Sequence, residues 1–202
     1  MIASVKVISV REQNADQLRS DIISGDLPPD TKLNEQALAD RFGVSRGPIR
    51  DVLLQLTKEG LLVTRPNVGA SVNKMLGRGM QQLMVDIRRR IETYSVRKIK
   101  GTLENTDFAN LEKILDHFEA SFRDGDFTEV TKADIAFHQY LVEKAGGEEL
   151  VNLWYPVVLR MRMSYKRLDD ASHGVEEHRA IVEALRADDT KAAVAALRAN
   201  IK

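Results

Sequence analysis

The sequence predicts a mainly α protein, an N-terminal three-helix unit closed by a short β-hairpin and followed by an antiparallel helical bundle. Three observations predict it. Apolar residues recur at spacings of three and four along most of the chain. Two short strand-like runs interrupt that period between residues 61 and 73. Beyond them, glycines and an Asp-Asp pair cut the chain into helical segments with short breaks.

Residues 10–24 carry Val10, Leu18, Ile22 and Ile23 at roughly helical spacing, and Gly25 stops the run. Leu27-Pro28-Pro29-Asp30 reads as a turn. Leu33, Leu38, Ala39 and Phe42 mark a short second helix starting near Asn34, a good N-cap residue. Gly43 breaks it. Ser45 then caps a third helix with Ile49, Val52, Leu53 and Leu56 on one face, and Pro48 is tolerated because it falls in the first turn. After Gly60, residues 61–64 read as a strand, 65–69 as a turn and 70–73 as the return strand. Helix, helix, tight glycine turn, helix and hairpin is the order of a winged helix-turn-helix, assigned to residues 1–75. Residues 76–202 show no further strand pattern, and helices are expected near 78–100, 107–123, 127–145, 148–168, 174–187 and 190–201. There is no internal repeat, low-complexity tract or sustained heptad pattern.

Composition bounds the function. With 43% apolar and 30% charged residues the chain is globular, and 202 residues suit two domains. Thirty basic and thirty acidic residues give no net charge, so any nucleic-acid contact must come from local arginines. The absence of cysteine excludes disulfides, thiolate metal sites and cysteine nucleophiles. No stretch has the pattern of a secretory leader or the apolar length of a membrane span, so a cytoplasmic protein without a membrane anchor is expected.

The run Leu33-Asn34-Glu35-Gln36-Ala37-Leu38-Ala39, continued by Phe42-Gly43-Val44-Ser45-Arg46-Gly47-Pro48-Ile49-Arg50-Asp51-Val52-Leu53 and closed by Leu56 and Glu59-Gly60-Leu61, resembles the GntR family of bacterial regulators. The helical half is similar to its FadR-like subgroup through Ile87-Arg88, Ile91-Glu92, Asp134, Phe137-His138 and Glu177-His178. The resemblance implies a homodimer on a palindromic double-stranded operator, with an all-helical dimerisation and effector domain at 76–202 and a small carboxylate as effector.

The residue chemistry of the DNA end stands beside that resemblance. Ser45 at the N-cap and Arg46 in the first turn bring a helix N-terminus, with its free N–H groups, to where it can meet a phosphate. Arg46 and Arg50 are four apart and share a face, from which arginine can fork onto guanine or phosphate. The alternative for both is a solvated face with Asp51 and Glu59 as ion partners. Gly47 between them allows close approach of the backbone. Arg65 in the wing and Asn67 in its turn are further candidates, as is Gln36, which stands where relatives often carry a basic residue and would make an uncharged hydrogen bond.

In the helical half, Asp134 and His138 lie one turn apart on one face, within reach of one cation. The resemblance adds His178 as a third ligand of a divalent metal of zinc or nickel type. The histidine usual on the last helix falls here on Asn200, a harder and weaker ligand. Without the family, the two histidines read as core residues with satisfied hydrogen bonds. Arg88 and Arg160 are the arginines expected to turn inward, either in an internal ion pair such as Arg88 with Glu92 or to hold an effector carboxylate. His117 and His173 have no partner at ligand spacing and are expected at the surface. Two other readings are a metal-dependent hydrolase with Glu177 as base, and a regulator whose helical domain only dimerises. Neither a phosphate-binding loop nor a nucleophile elbow nor a zincin helix occurs, so no enzyme is expected.

Overall fold

Helix α1 (Val10–Ile23) begins where the Ser9 hydroxyl accepts the Glu12 N–H at 3.2 Å. The computed structural model describes residues 9–164 and 172–202, without the side chains of Ser172 and His173, so the expected surface position of His173 lies outside the described residues. The chain divides into two units, Met1–Met75 and Leu76–Lys202.

In the first unit, α1 packs on α3 (Arg46–Lys58) and α2 (Glu35–Phe42) on α3 as well. Ala15, Leu18 and Ile22 are buried together with Ile49, Val52 and Leu56, one face from each helix. Burial of these faces is the main stabilising force, since helices this short are marginal alone. Asn34 caps α2 by accepting from the N–H groups of Gln36 and Ala37 at 2.8 and 3.0 Å. Gly43 turns the chain into α3 with φ of 65°, a conformation that costs glycine nothing. Arg19, almost fully buried, forks onto both oxygens of Glu59 at 2.6 and 2.7 Å and ties α1 to the end of α3.

Strands β2 (Leu62–Arg65) and β3 (Gly69–Val72) pair antiparallel, from Leu62 opposite Val72 to Arg65 opposite Gly69. A two-residue strand β1 (Lys32–Leu33) lies on the other edge of β3. Leu33, expected to lead into the second helix, belongs instead to this sheet. Two residues have no period for a sequence pattern to detect; the strand exists because the Pro28-Pro29 loop brings Asp30 and Thr31 into backbone hydrogen bonds with Val72, each 2.9 Å.

The second unit contains α4 (Arg78–Lys98), α5 (Asn105–Arg123), α6 (Phe127–Arg162), α7 (Ser172–Arg186) and α8 (Thr190–Asn200). α4 packs on α6 and α8, α5 on α6 and α7, and α7 on α8. Leu111, Leu115, Phe118, Phe137, Leu141, Met161, Ile181 and Leu197 form its core. The two helices expected at 127–145 and 148–168 run on directly as the halves of α6. Gly147 joins them with φ 61° and ψ −157°, so the Gly146-Gly147 pair makes a kink rather than a loop. The expected continuation over 165–168 lies outside the described residues. Among the described residues no helix is long and apolar enough to cross a membrane.

Candidate nucleic-acid interface and metal centre

Arg46 and Arg50 project from one side of the first two turns of α3, both more than half exposed. Neither uses the expected partners. Glu59 is taken by Arg19, and both arginines instead meet Oε2 of Glu35 in the first turn of α2, at 2.8 Å each. The hydrogen bonds from Arg46 and Arg50 hold the Glu35 carboxyl below its ordinary range. Ser45 occupies the N-cap position, but its hydroxyl makes no capping bond. A Cβ built on Gly47 would meet nothing within 4 Å, so the protein's own packing does not demand a glycine there. Gln36 is exposed on α2 and donates to Asp40 at 2.9 Å. Arg65 ends β2 at the exposed tip of the hairpin, and Asn67 sits in its turn with φ of 60°, which asparagine tolerates better than most residues.

Asp134 and His138 stand one turn apart on the first half of α6, and α7 brings His178 against them; all three are buried. Their ligand atoms lie within 4.8 Å of one another. The Nε2 atoms of His138 and His178 are 3.1 Å apart, and Asp134 Oδ1 is 3.4 Å from His178 Nε2. Ligands of one ion, each at its usual distance of about 2.0–2.2 Å, stand roughly 3.0–3.5 Å apart, so the donor set fits a divalent metal. Phe118 and Phe137 meet the His178 ring edge-on, with centroids 5.1 and 4.7 Å away, and its Nδ1 is 2.5 Å from the Gly174 carbonyl. Burial pushes the His138 pKa down, more than the Glu92 and Asp134 carboxylates raise it, which favours the neutral imidazole that metals require. Burial would raise the Asp134 pKa, but the Arg162 guanidinium and the two histidines hold it well below its usual value.

Asn200, the fourth candidate, lies against Glu177 and His178. Its amide contacts Glu177 at 3.1 Å and lies 3.4 Å from His178 Nδ1, the edge turned away from Asp134 and His138. Arg88 is buried and ion-paired with Glu92 at 2.7 Å, the internal pair that helical spacing allowed. Arg160 is half-buried and contacts the Met163 sulfur at 2.9 Å; the arginine on Asp134 is Arg162. Residues two apart on a helix point to nearly opposite sides, which is why the inward position falls on one of this pair and not on both. Arg162, Glu35 and the Trp154 indole, which donates to Glu92 at 2.7 Å, are the contributors that sequence reasoning missed. The Arg88–Glu92 spacing was legible; the approach of Trp154 and Arg162 across elements was not. His117 is exposed beside Glu129 at 3.3 Å.

Three helices with a hairpin wing and a third helix bearing two arginines, followed by a helical bundle with a buried Asp/His cluster, define a DNA-binding transcription regulator. The chain belongs to the GntR family: the model of bacterial regulatory proteins of the gntR family matches residues 10–72, and that of the FCD domain matches residues 83–202. A protein of Paenarthrobacter nicotinovorans, described as a probable D-xylose utilization operon transcriptional repressor, is 30% identical over 96% of this chain and 86% of its own length. The gluconate operon transcriptional repressor of Bacillus licheniformis is 26% identical over 91% and 79%. The structure of E. coli McbR/YncC superposes with a TM-score of 0.82 at 20% identity, covering 96% of this chain and 94% of that one. The protein is thus a regulator and not an enzyme, and the hydrolase alternative falls away.

Proposed function

We propose that the protein is a homodimeric repressor that binds a palindromic operator through α3 and the wing and is controlled by a divalent metal and a small carboxylate. The observation that carries the DNA reading is the shared face of Arg46 and Arg50, with the open Cβ position of Gly47 between them. Ser45, Gln36, Arg65 and Asn67 would add phosphate or groove contacts. Repression is taken from the named repressors among the relatives. A cytoplasmic location follows from the operator as partner. Exposed Met80, Leu83 and Tyr94 recur at helical spacing on α4 and support a homodimer.

Asp134, His138 and His178 would hold the metal, with Asn200 supporting His178 from behind instead of ligating. A metal of zinc or nickel type would supply Lewis acidity to bind an effector carboxylate. Arg88 is committed to Glu92 and Arg160 lies off the cluster, so Arg162 beside Asp134 is the guanidinium best placed to meet such an acid. Selection from random-sequence DNA should return a two-fold symmetric site, and elemental analysis should find about one divalent ion per chain, lost on His138→Ala. Thermal-shift screening of organic acids with zinc or with chelator should then find acids that stabilise only the loaded protein. An asymmetric or absent DNA consensus would overturn the operator reading. No ion after dialysis against zinc and nickel would overturn the metal reading.

A further inference from the structure

We infer that Glu92 is the positioning residue of the Asp134–His138–His178 site: its carboxylate keeps the His138 proton on Nδ1 and so turns the Nε2 lone pair toward His178 and Asp134. The inference rests on the metal reading above. Glu92 lies on α4, apart from the ligands on α6 and α7, and is only 2% exposed. Its Oε1 accepts from Arg88 Nε and from Trp154 Nε1, each at 2.7 Å. Two donors from different helices thereby hold the carboxylate and leave Oε2 facing His138, 2.6 Å from Nδ1. Both atoms are buried and neither makes a hydrogen bond of ordinary geometry among the described residues, so this is a close ion-pair contact rather than an aligned bond. A carboxylate is acceptor-only, so a contact this short places the proton on Nδ1.

The same holds across the cluster. His178 Nδ1 faces the Gly174 carbonyl, also acceptor-only, at 2.5 Å, much closer than the 3.4 Å between its Nε2 and Asp134 Oδ1, so the proton sits on Nδ1 and Nε2 is a lone pair as well. Two Nε2 lone pairs then face each other at 3.1 Å inside the bundle, an arrangement a bound cation relieves. If His138 could move its proton to Nε2, it would donate to His178 and satisfy the pair internally, closing the site to metal. Glu92 prevents that shift, as carboxylates behind ligating histidines do generally. A carboxylate needed only by Arg88 and Trp154 would leave His138 free to take either tautomer.

Glu92→Gln discriminates. With two donors facing one end of its side chain, glutamine must turn its carbonyl toward them and its NH₂ toward His138, which makes Nδ1 an acceptor and moves the proton to Nε2. Long-range ¹H–¹⁵N NMR on the metal-free protein should show His138 as the Nδ1–H tautomer in the wild type and Nε2–H in E92Q. Zinc affinity, measured by competition with a chelating dye, should fall about 10–100-fold in E92Q. An Nε2–H His138 in the wild type overturns the inference even if E92Q does not fold, and so does an E92Q protein with unchanged tautomer and zinc affinity. A wild type with the Nδ1–H tautomer that takes up neither zinc nor nickel sinks the metal reading and leaves the Glu92 assignment standing.

Discussion

Glu35 holds Arg46 and Arg50 on one carboxylate oxygen, and that contact sets what single substitutions should do at the DNA end. Exposed ion pairs stabilise little, so DNA can replace or share this one at small cost. Arg46→Ala and Arg50→Ala should each weaken operator binding by about 1–3 kcal/mol if they reach base edges; fluorescence anisotropy at fixed salt checks this. Glu35→Gln removes a negative charge beside the proposed phosphate contacts. It should tighten binding to random DNA at low salt and narrow the ratio of specific to non-specific affinity, whereas an unchanged ratio would mean Glu35 takes no part in discrimination. Gly47→Ala meets no protein atom within 4 Å, so thermal stability should stay within about 0.5 kcal/mol of the wild type while operator affinity drops, because the added methyl stands where DNA would approach. Arg46 and Arg50 were legible because the helical period fixes their common face. Glu35 was not: its contact depends on how α2 and α3 meet, eleven and fifteen residues apart in sequence.

Two elements of the second unit depend on single backbone or capping positions. Gly147 joins the halves of α6 at φ 61° and ψ −157°, a region essentially closed to side chains. Gly147→Ala should cost about 1–3 kcal/mol in denaturant unfolding, unless α6 straightens, which would appear as altered packing around Trp154. Asp107 reaches back to the Glu104 N–H at 2.9 Å to fasten the start of α5, and its carboxylate also meets Lys144 at 2.6 Å and the Tyr140 hydroxyl at 2.7 Å. Burial raises its pKa, but these three donors outweigh that and hold it at about 2. The folded value lies below the unfolded one, so the group's stabilisation is full above about pH 4–5 and is lost as pH falls toward 2. Asp107→Asn should lower stability at neutral pH and flatten this acid limb in urea melts at stepped pH. An unaltered pH profile would show that Asp107 carries none of it. The helical spans were close to their sequence assignment because apolar period and glycine stops act locally. β1 and the direct joining of α6 were hidden, since each is decided by what the neighbouring backbone offers.

For the whole molecule, a buried polar chain runs from Arg88 through Glu92, His138, His178 and Asp134 to Arg162, linking α4, α6 and α7. A ligand that binds only the folded form stabilises it by about 2.7 kcal/mol at a hundred times its Kd. Saturating zinc should therefore raise Tm by several degrees over chelated protein, and His178→Ala should abolish the difference. A chelator-insensitive wild type would instead leave the cluster as core histidines. The sequence by itself determined the order of helices, the hairpin, the arginines of α3 and the Asp134/His138 pair, because these follow from periods of two and 3.6 and from residues within one turn of each other. Tertiary structure alone decided that Glu35 holds the two arginines of α3, that Arg162 and not Arg160 reaches Asp134, that the Asn200 amide lies on the Nδ1 side of His178, and that Glu92 stands against His138. Those contacts join side chains from different elements, and their partners are set by the angle and depth at which buried faces pack, which no local spacing encodes.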